Sequence, residues 1–289
     1  MTASEKVSDT VCPACNWSTS RQRYCSYSSH VKLFYGAGDR GLPKIEVQNI
    51  EFLEQHTTIP VPSVIREWTD ESDRYFLLMN RLNGQTIEEA WPTVSQPQKE
   101  HIADQAAEYI QQLRQLQAPI MQSIDGGPLY SNWLFLNDGD KPYGPLDSDE
   151  QLHDALMQAL KELPSPVLTR FKDRLLPICT PYTFTHGNLN CQNVLVKDGE
   201  LIGILDWESA GYFPVWWEYA ATSIAFTAED TEWKALLRVR LSGYEEGREF
   251  WRDLSALSRY PNLNQRGQAL VSRLLSPEQA ADGKLASTS

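Results

Sequence analysis

Two short apolar runs, residues 193–196 and 201–205, face each other across Asp198-Gly199 in a chain of 289 residues. Asp-Gly between apolar runs specifies a two-residue reversal, because both central positions of such a turn need positive φ. The reversal brings the outer ends of the two runs to one end of a strand pair. Those ends are rich in polar side chains. One carries His186-Gly187-Asn188-Leu189-Asn190-Cys191-Gln192-Asn193, and the other carries Ile204-Leu205-Asp206-Trp207-Glu208. Asn193 and Asp206 can therefore point their oxygens at one Mg²⁺, a hard, oxygen-seeking ion.

The first part of the chain reads as strand-rich and the second as helix-rich. HVKLFY (His30–Tyr35) predicts a strand, followed by a Gly/Asp/Pro loop over 36–43. Residues 45–55 place Val47, Ile50 and Leu53 on one helical face. Ile59-Pro60-Val61-Pro62 stops that helix, since proline lacks the N–H and restricts the residue before it. Residues 74–80 predict a buried strand, ending in a hinge near Asn83-Gly84. Over 97–117, Ile102, Ala106, Tyr109, Ile110, Leu113 and Leu116 form a helical stripe. A long loop over 118–146 follows, then helices over 151–163, 218–226, 231–242 and 249–257. The division expected is a small lobe over 1–80, with 1–10 loose, a helical lobe over 81–275, and a disordered polar tail over 276–289.

Composition excludes several classes. A formal charge of −12 argues against a general nucleic-acid binder and mildly favours cationic small molecules. No apolar run approaches the ~20 residues of a membrane span, and residues 1–10 are polar without a signal core. Five cysteines make a poor disulfide framework. A cytoplasmic, reducing setting is the expectation.

Phosphoryl transfer in kinases needs a carboxylate that positions the nucleophile, an amide oxygen five residues on, and a second metal-binding aspartate after a hairpin. The segment 186–193, the DG hairpin and the following Asp206-Trp207-Glu208 fit that spacing. With IPVP at 59–62, LLMNRLNGQTIEEAW at 77–91, QQLRQLQAP at 111–119 and SIDGGPL at 123–129, the chain resembles the aminoglycoside phosphotransferase and choline-kinase-like family, its fungal members especially. The resemblance spans roughly residues 32–221. It implies an α+β, protein-kinase-like fold with a β-rich lobe over a helical one and ATP in the cleft between. It implies further that Lys32 grips the nucleotide phosphates and Glu46 pairs with Lys32. Met79 to Leu82 would present backbone groups to adenine, and Asn193 and Asp206 would bind Mg²⁺. The partner implied is a small-molecule acceptor hydroxyl. His186 reads as a structural hydrogen-bonder, and Glu208 and Glu218 as acceptors for local backbone donors.

Two departures from the family pattern bear on catalysis. Asn188 stands where the family has its aspartate, and a neutral amide takes up no proton near pH 7. The segment 11–29 contains no glycine, although Ser26, Ser28 and Ser29 offer hydroxyls. Cys12-Pro13-Ala14-Cys15, Cys25 and His30 supply four potential zinc ligands, but their spacing matches none of the common structural sites, so reduced cysteines are the simpler reading, with a redox or regulatory CxxC between the two. Three functions stay open: a slowed small-molecule kinase, a pseudokinase acting as a binding or scaffold protein, and a cleft adapted to another reaction. Trp207, Trp216, Trp217 and Trp233, with the loop over 118–146, either shape an acceptor pocket or belong to the core.

Overall fold

The computed structural model describes residues 22–24, 30–35, 42–69, 71, 75–136 and 141–276. The N-terminal elements are β1 (Gln22–Tyr24), β2 (His30–Tyr35), α1 (Leu42–His56), β3 (Val64–Thr69) and β4 (Tyr75–Asn80). Their strands form one antiparallel sheet in the order β1-β2-β4-β3, with Lys32 opposite Leu78. Val47, Ile50 and Leu53 of α1 belong to one buried cluster with Leu77 and Met79 of β4, as their spacing predicts. β3 is a mostly exposed edge strand, so it carries no apolar alternation for a sequence reading to find.

Several contacts fasten the small lobe to the rest of the chain, among them Phe52 packed on Phe184 and Thr58 N–H donating to Gln112 Oε1 at 2.8 Å. Asn49 on α1 donates through Nδ2 to the carbonyls of Trp207 (2.7 Å) and Ala210 (3.2 Å). The backbone N–H of Ile204 donates to Pro60 O at 2.9 Å.

Next come β5 (Gln85–Thr86), α2 (Ile87–Ala90), α3 (Gln96–Gln115), β6 (Gln117–Ala118), α4 (Asn132–Phe135), α5 (Asp149–Met157) and α6 (Ser165–Lys172). The remainder is β7 (Tyr182–Thr185), β8 (Val194–Lys197), β9 (Glu200–Ile204), β10 (Gly211–Pro214), α7 (Trp217–Ala221), α8 (Ala228–Arg238), α9 (Glu245–Leu257) and α10 (Gln265–Leu275). β8 and β9 form the expected hairpin, with Asp198 at φ 54° and Gly199 at φ 86° in its turn. β7 is the middle strand of the sheet β10-β7-β6 and runs straight into His186. Ile102, Ala106, Ile110 and Leu113 of α3 are buried, as the stripe requires.

Several expectations need correction. The stretch 118–146 is not a plain loop. Backbone bridges Met121↔Leu146 and Leu129↔Tyr143 close it, and Met121, Leu129, Leu134 and Phe135 bury at 0–1 % exposure. The helix expected over 218–226 ends at Ala221, because Thr227 caps a new helix by accepting from Asp230 N–H at 3.1 Å. α9 begins at Glu245, four residues early, with Glu245 and Glu246 suited to the positive end of the helix dipole. Trp207, Trp216, Trp217 and Trp233 are all buried at 0–1 %, so they are core, although Trp207 also edges a cleft that it shares with Asp206. The loose ends expected at 1–10 and beyond Ser276, the glycine-free segment 11–29 apart from the backbone of 22–24, and Cys12, Cys15 and Cys25 lie outside the described residues. So do the side chains of Lys32 and His30.

Trp216 and Trp217 anchor a second core, built from α5, α6, α9 and α10. α9 approaches that core through Gly247, where an added Cβ would lie 2.5 Å from Trp216 Cγ. Gly247→Val should therefore lower unfolding stability by about 1–3 kcal/mol through overpacking, measured by urea denaturation followed by tryptophan fluorescence; an unchanged midpoint would show that Trp216 yields freely.

Candidate functional site: the loop 186–193 and the hairpin end

The loop between β7 and β8 has no ladder of its own, so other elements must satisfy its buried backbone groups. Glu218 on α7, 6 % exposed, accepts from the N–H groups of His186 (2.8 Å) and Gly187 (3.2 Å). Asp230 on α8, fully buried, accepts from Cys191 N–H at 2.9 Å and Phe226 N–H at 3.2 Å. Trp233 Nε1 donates to Leu189 O at 3.1 Å. Asp230 is balanced by Lys234, whose Nζ lies 3.2 Å away; burial pushes that ammonium's pKa down, and Asp230 opposes the shift. Glu218 thus serves backbone donors, as the sequence suggested, but donors 31 and 32 residues away rather than local ones.

His186 is structural. Its Nδ1 accepts from Asn188 N–H at 3.2 Å, so the ring proton sits on Nε2 and is donated to Leu205 O at 2.8 Å. The ring stands edge-on to Trp207, with centroids 4.5 Å apart. Gly187 has φ 74°, and a Cβ there would meet Trp217 Nε1 at 3.0 Å, so both conformation and space call for glycine. Cys191 is no nucleophile: burial, with Asp230 nearby, pushes its thiol pKa up to about 11.

The hairpin ladder continues one step past its strands, with Leu205 N–H donating to Asn193 O at 2.8 Å. That step puts Asn193 beside Asp206, which adopts φ 66°. Asn193 Nδ2 donates to Asn188 O at 2.9 Å and to Asp206 Oδ2 at 3.2 Å. Asn188 Nδ2 donates to the same Oδ2 at 3.3 Å. Sequence reasoning placed Asn188, Asn193 and Asp206 together, and they are together.

A cleft of about 330 Å³ opens over this cluster. Glu46 and Ile50 of α1 form one wall, Met79 to Leu82 another, and Asn193 and Asp206 the floor. Glu46, Met79 and Leu82 thus share the cleft with the hairpin end, while Lys32 is located only by its backbone register on β2. Beyond Asp206 lies a second cavity of about 140 Å³, lined by Ser131, Asn132, Trp133, Asn188, Glu208 and others. Trp133 escaped the sequence reading. Its stretch shows no periodic pattern, and only folding of the 118–146 excursion carries it to Asn188.

The donor set fits Mg²⁺. Asn193 commits its amide nitrogen to a carbonyl that can only accept, which leaves its oxygen for an ion. One amide and one carboxylate oxygen suit Mg²⁺, which keeps waters and phosphate oxygens for its other positions. Among the described residues no group of three or more His, Cys, Asp or Glu forms an all-protein metal cage.

Asp230 joins the Cys191 and Phe226 N–H groups to a buried ammonium, so Asp230→Ala orphans both N–H groups and leaves Lys234 uncompensated, with only the Ile224 carbonyl to donate to. A loss of about 3–5 kcal/mol is expected for breaking such a buried pair, read from chemical denaturation; a loss under about 1 kcal/mol would remove Asp230 from this role.

A family model described as the phosphotransferase enzyme family matches residues 42–254, well over half of the chain. No curated protein sequence matches the chain. Among solved structures, the GDP complex of aminoglycoside 2'-phosphotransferase-IIIa is similar at TM-score 0.55 and 15% identity, over 88% of this chain and 91% of that one. A streptomycin–ATP complex of APH(2")-IIa is similar at TM-score 0.53 and 16% identity, over 91% and 92%. Macrolide 2'-phosphotransferase MphH from Brachybacterium faecium is similar at TM-score 0.50 and 15% identity, over 86% and 85%. These likenesses establish the fold, a small antiparallel sheet lobe joined to a larger helical part in the protein-kinase-like manner, and with the family match they place this chain in the phosphotransferase enzyme (APH) family.

Proposed function

We propose that the chain is an ATP- and Mg²⁺-dependent phosphotransferase acting on a hydroxyl of a small molecule, with turnover held down by Asn188. One observation carries the reading: Asp206 lines both the 330 Å³ cleft and the 140 Å³ cavity, so the two spaces meet at one carboxylate. In this reading the nucleotide occupies the larger space and the acceptor enters the smaller one.

Residues take roles accordingly. Met79 to Leu82 offer backbone groups to the base. Lys32 contacts the phosphates, and buried Glu46 is its partner at the cleft wall. Asn193 Oδ1 and Asp206 would hold Mg²⁺, which would supply positive charge to the phosphates. Ser131, Asn132 and Glu208 border the acceptor, and Trp133, 36 % exposed, gives it an apolar wall. A net charge of −12 and small-molecule-sized cavities support a small-molecule partner rather than nucleic acid. A cytoplasmic setting belongs to the same reading, supported by Cys179 and Cys191, both buried free thiols. Among the described residues no helix is long and apolar enough to cross a membrane.

Asn188 limits the chemistry. General-base assistance is worth about 10²–10⁴-fold, and an amide supplies none of it. Positioning and charge neutralisation remain, and these carry most of the catalysis in a loose phosphoryl-transfer transition state. A second reading, a nucleotide-binding pseudokinase, is favoured by a specific contact pattern: Asn188 spends Nδ2 on Asp206 and Oδ1 on Asn190, so both polar atoms face protein partners.

Mg-ATP should raise the melting temperature of the wild-type protein, since ligand at a hundredfold excess over Kd stabilises by about 2.7 kcal/mol. Asp206→Ala should abolish the rise. No shift in the wild type would sink both readings. With an acceptor found by screening metabolites for mass gain from ATP, Asn188→Asp should raise turnover about 10²–10⁴-fold. Nucleotide binding without turnover in either form would select the pseudokinase.

A further inference from the structure

The orientation of Asn188 is set by a chain of bonds that starts at the main chain. Gln192 N–H donates to Asn190 Oδ1 at 2.8 Å, so Asn190 must present its amide nitrogen to the next residue. That nitrogen donates to Asn188 Oδ1 at 3.0 Å. Asn188 is left with Nδ2 toward Asp206 Oδ2, at 3.3 Å. A backbone N–H can only donate, so no flip of either amide preserves this chain. Asn193 meets the same Oδ2 from its own side, its nitrogen fixed there by the Asn188 carbonyl. Two amide donors converge on one carboxylate oxygen of a residue held at φ 66°, in the left-handed region that few non-glycine residues occupy.

We propose that Asn188 is a positioning residue for Asp206: its amide, oriented by Asn190, donates to the carboxylate and restrains it, where an aspartate would repel it. This rests on the phosphotransferase reading only for what Asp206 is to bind. A carboxylate at 188 would lose the donor that Asp206 Oδ2 accepts from and would face that oxygen with a like charge at close range. Asn188 thus gives Asp206 a hydrogen-bond donor at the expense of the base. Asn and Asp have nearly the same shape, so exchanging them changes charge and hydrogen bonding while leaving volume alone.

The test compares melting temperatures of wild type, Asn188→Ala and Asn188→Asp in EDTA and in excess Mg²⁺. In EDTA the expected order is wild type highest, Asn188→Ala lower and Asn188→Asp lowest, with steps of a few degrees. Mg²⁺ should raise Asn188→Asp the most and narrow its gap to wild type. Asn190→Ala, which unties the chain, should lower the wild type but add less to Asn188→Ala. An Asn188→Asp protein as stable in EDTA as wild type, or more stable than Asn188→Ala, overturns the proposal, as do fully additive losses in the double variant. If the EDTA order holds but no protein responds to Mg²⁺ or Mg-ATP, the phosphotransferase reading fails while the positioning role stands. An intact Mg²⁺ response with the EDTA order lost removes only the positioning role. Should Asn188→Asp fold only with Mg²⁺ present, that supports the proposal.

Discussion

A buried loop outside any sheet must find partners for its N–H and C=O groups elsewhere, and that requirement organises this molecule. The loop 186–193 satisfies only part of its own backbone, as where Asn190 N–H donates to Asn188 O, so two buried carboxylates and an indole reach the rest from α7 and α8. Each carboxylate carries a desolvation cost that only its hydrogen bonds and, for Asp230, an adjacent ammonium offset. The helical lobe is therefore more than a support beneath the cleft. It supplies the groups that fix where Asn188 and Asn193 stand.

The same logic explains what could be read from the chain in advance. The hairpin was legible because Asp198-Gly199 has one favoured conformation, and the pairing of Asn193 with Asp206 follows from it geometrically. α1 and α3 were legible because each buries one regular stripe. Elements that are short, exposed or buried on all sides gave no period to detect. β3 is an exposed edge strand, and β7 is buried at every position. The boundary between α7 and α8 turned on a single capping hydroxyl, Thr227, which local apolar spacing obscures.

Site residues divide in the same way. Asn188, Asn193 and Asp206 stand close together in sequence or are joined by a tight turn. Glu46, Met79 and Leu82 entered the reading through family resemblance and line the cleft in the structure. Asp230, Asn49 and Trp133 left no trace, because partners of each lie in segments joined only by tertiary packing. Asn190 is instructive: its role follows from one backbone N–H two residues on, and that bond exists only when the loop is folded.

Asn49 ties the cleft's wall to its floor. Its amide nitrogen spans from α1 to two carbonyls just beyond Asp206, and it is wholly buried. α1 therefore cannot swing outward alone without stranding a buried amide and two carbonyls. Because α1 also buries its apolar face with Leu77 and Met79 of the sheet, any opening on this side has to break one of those two attachments of α1.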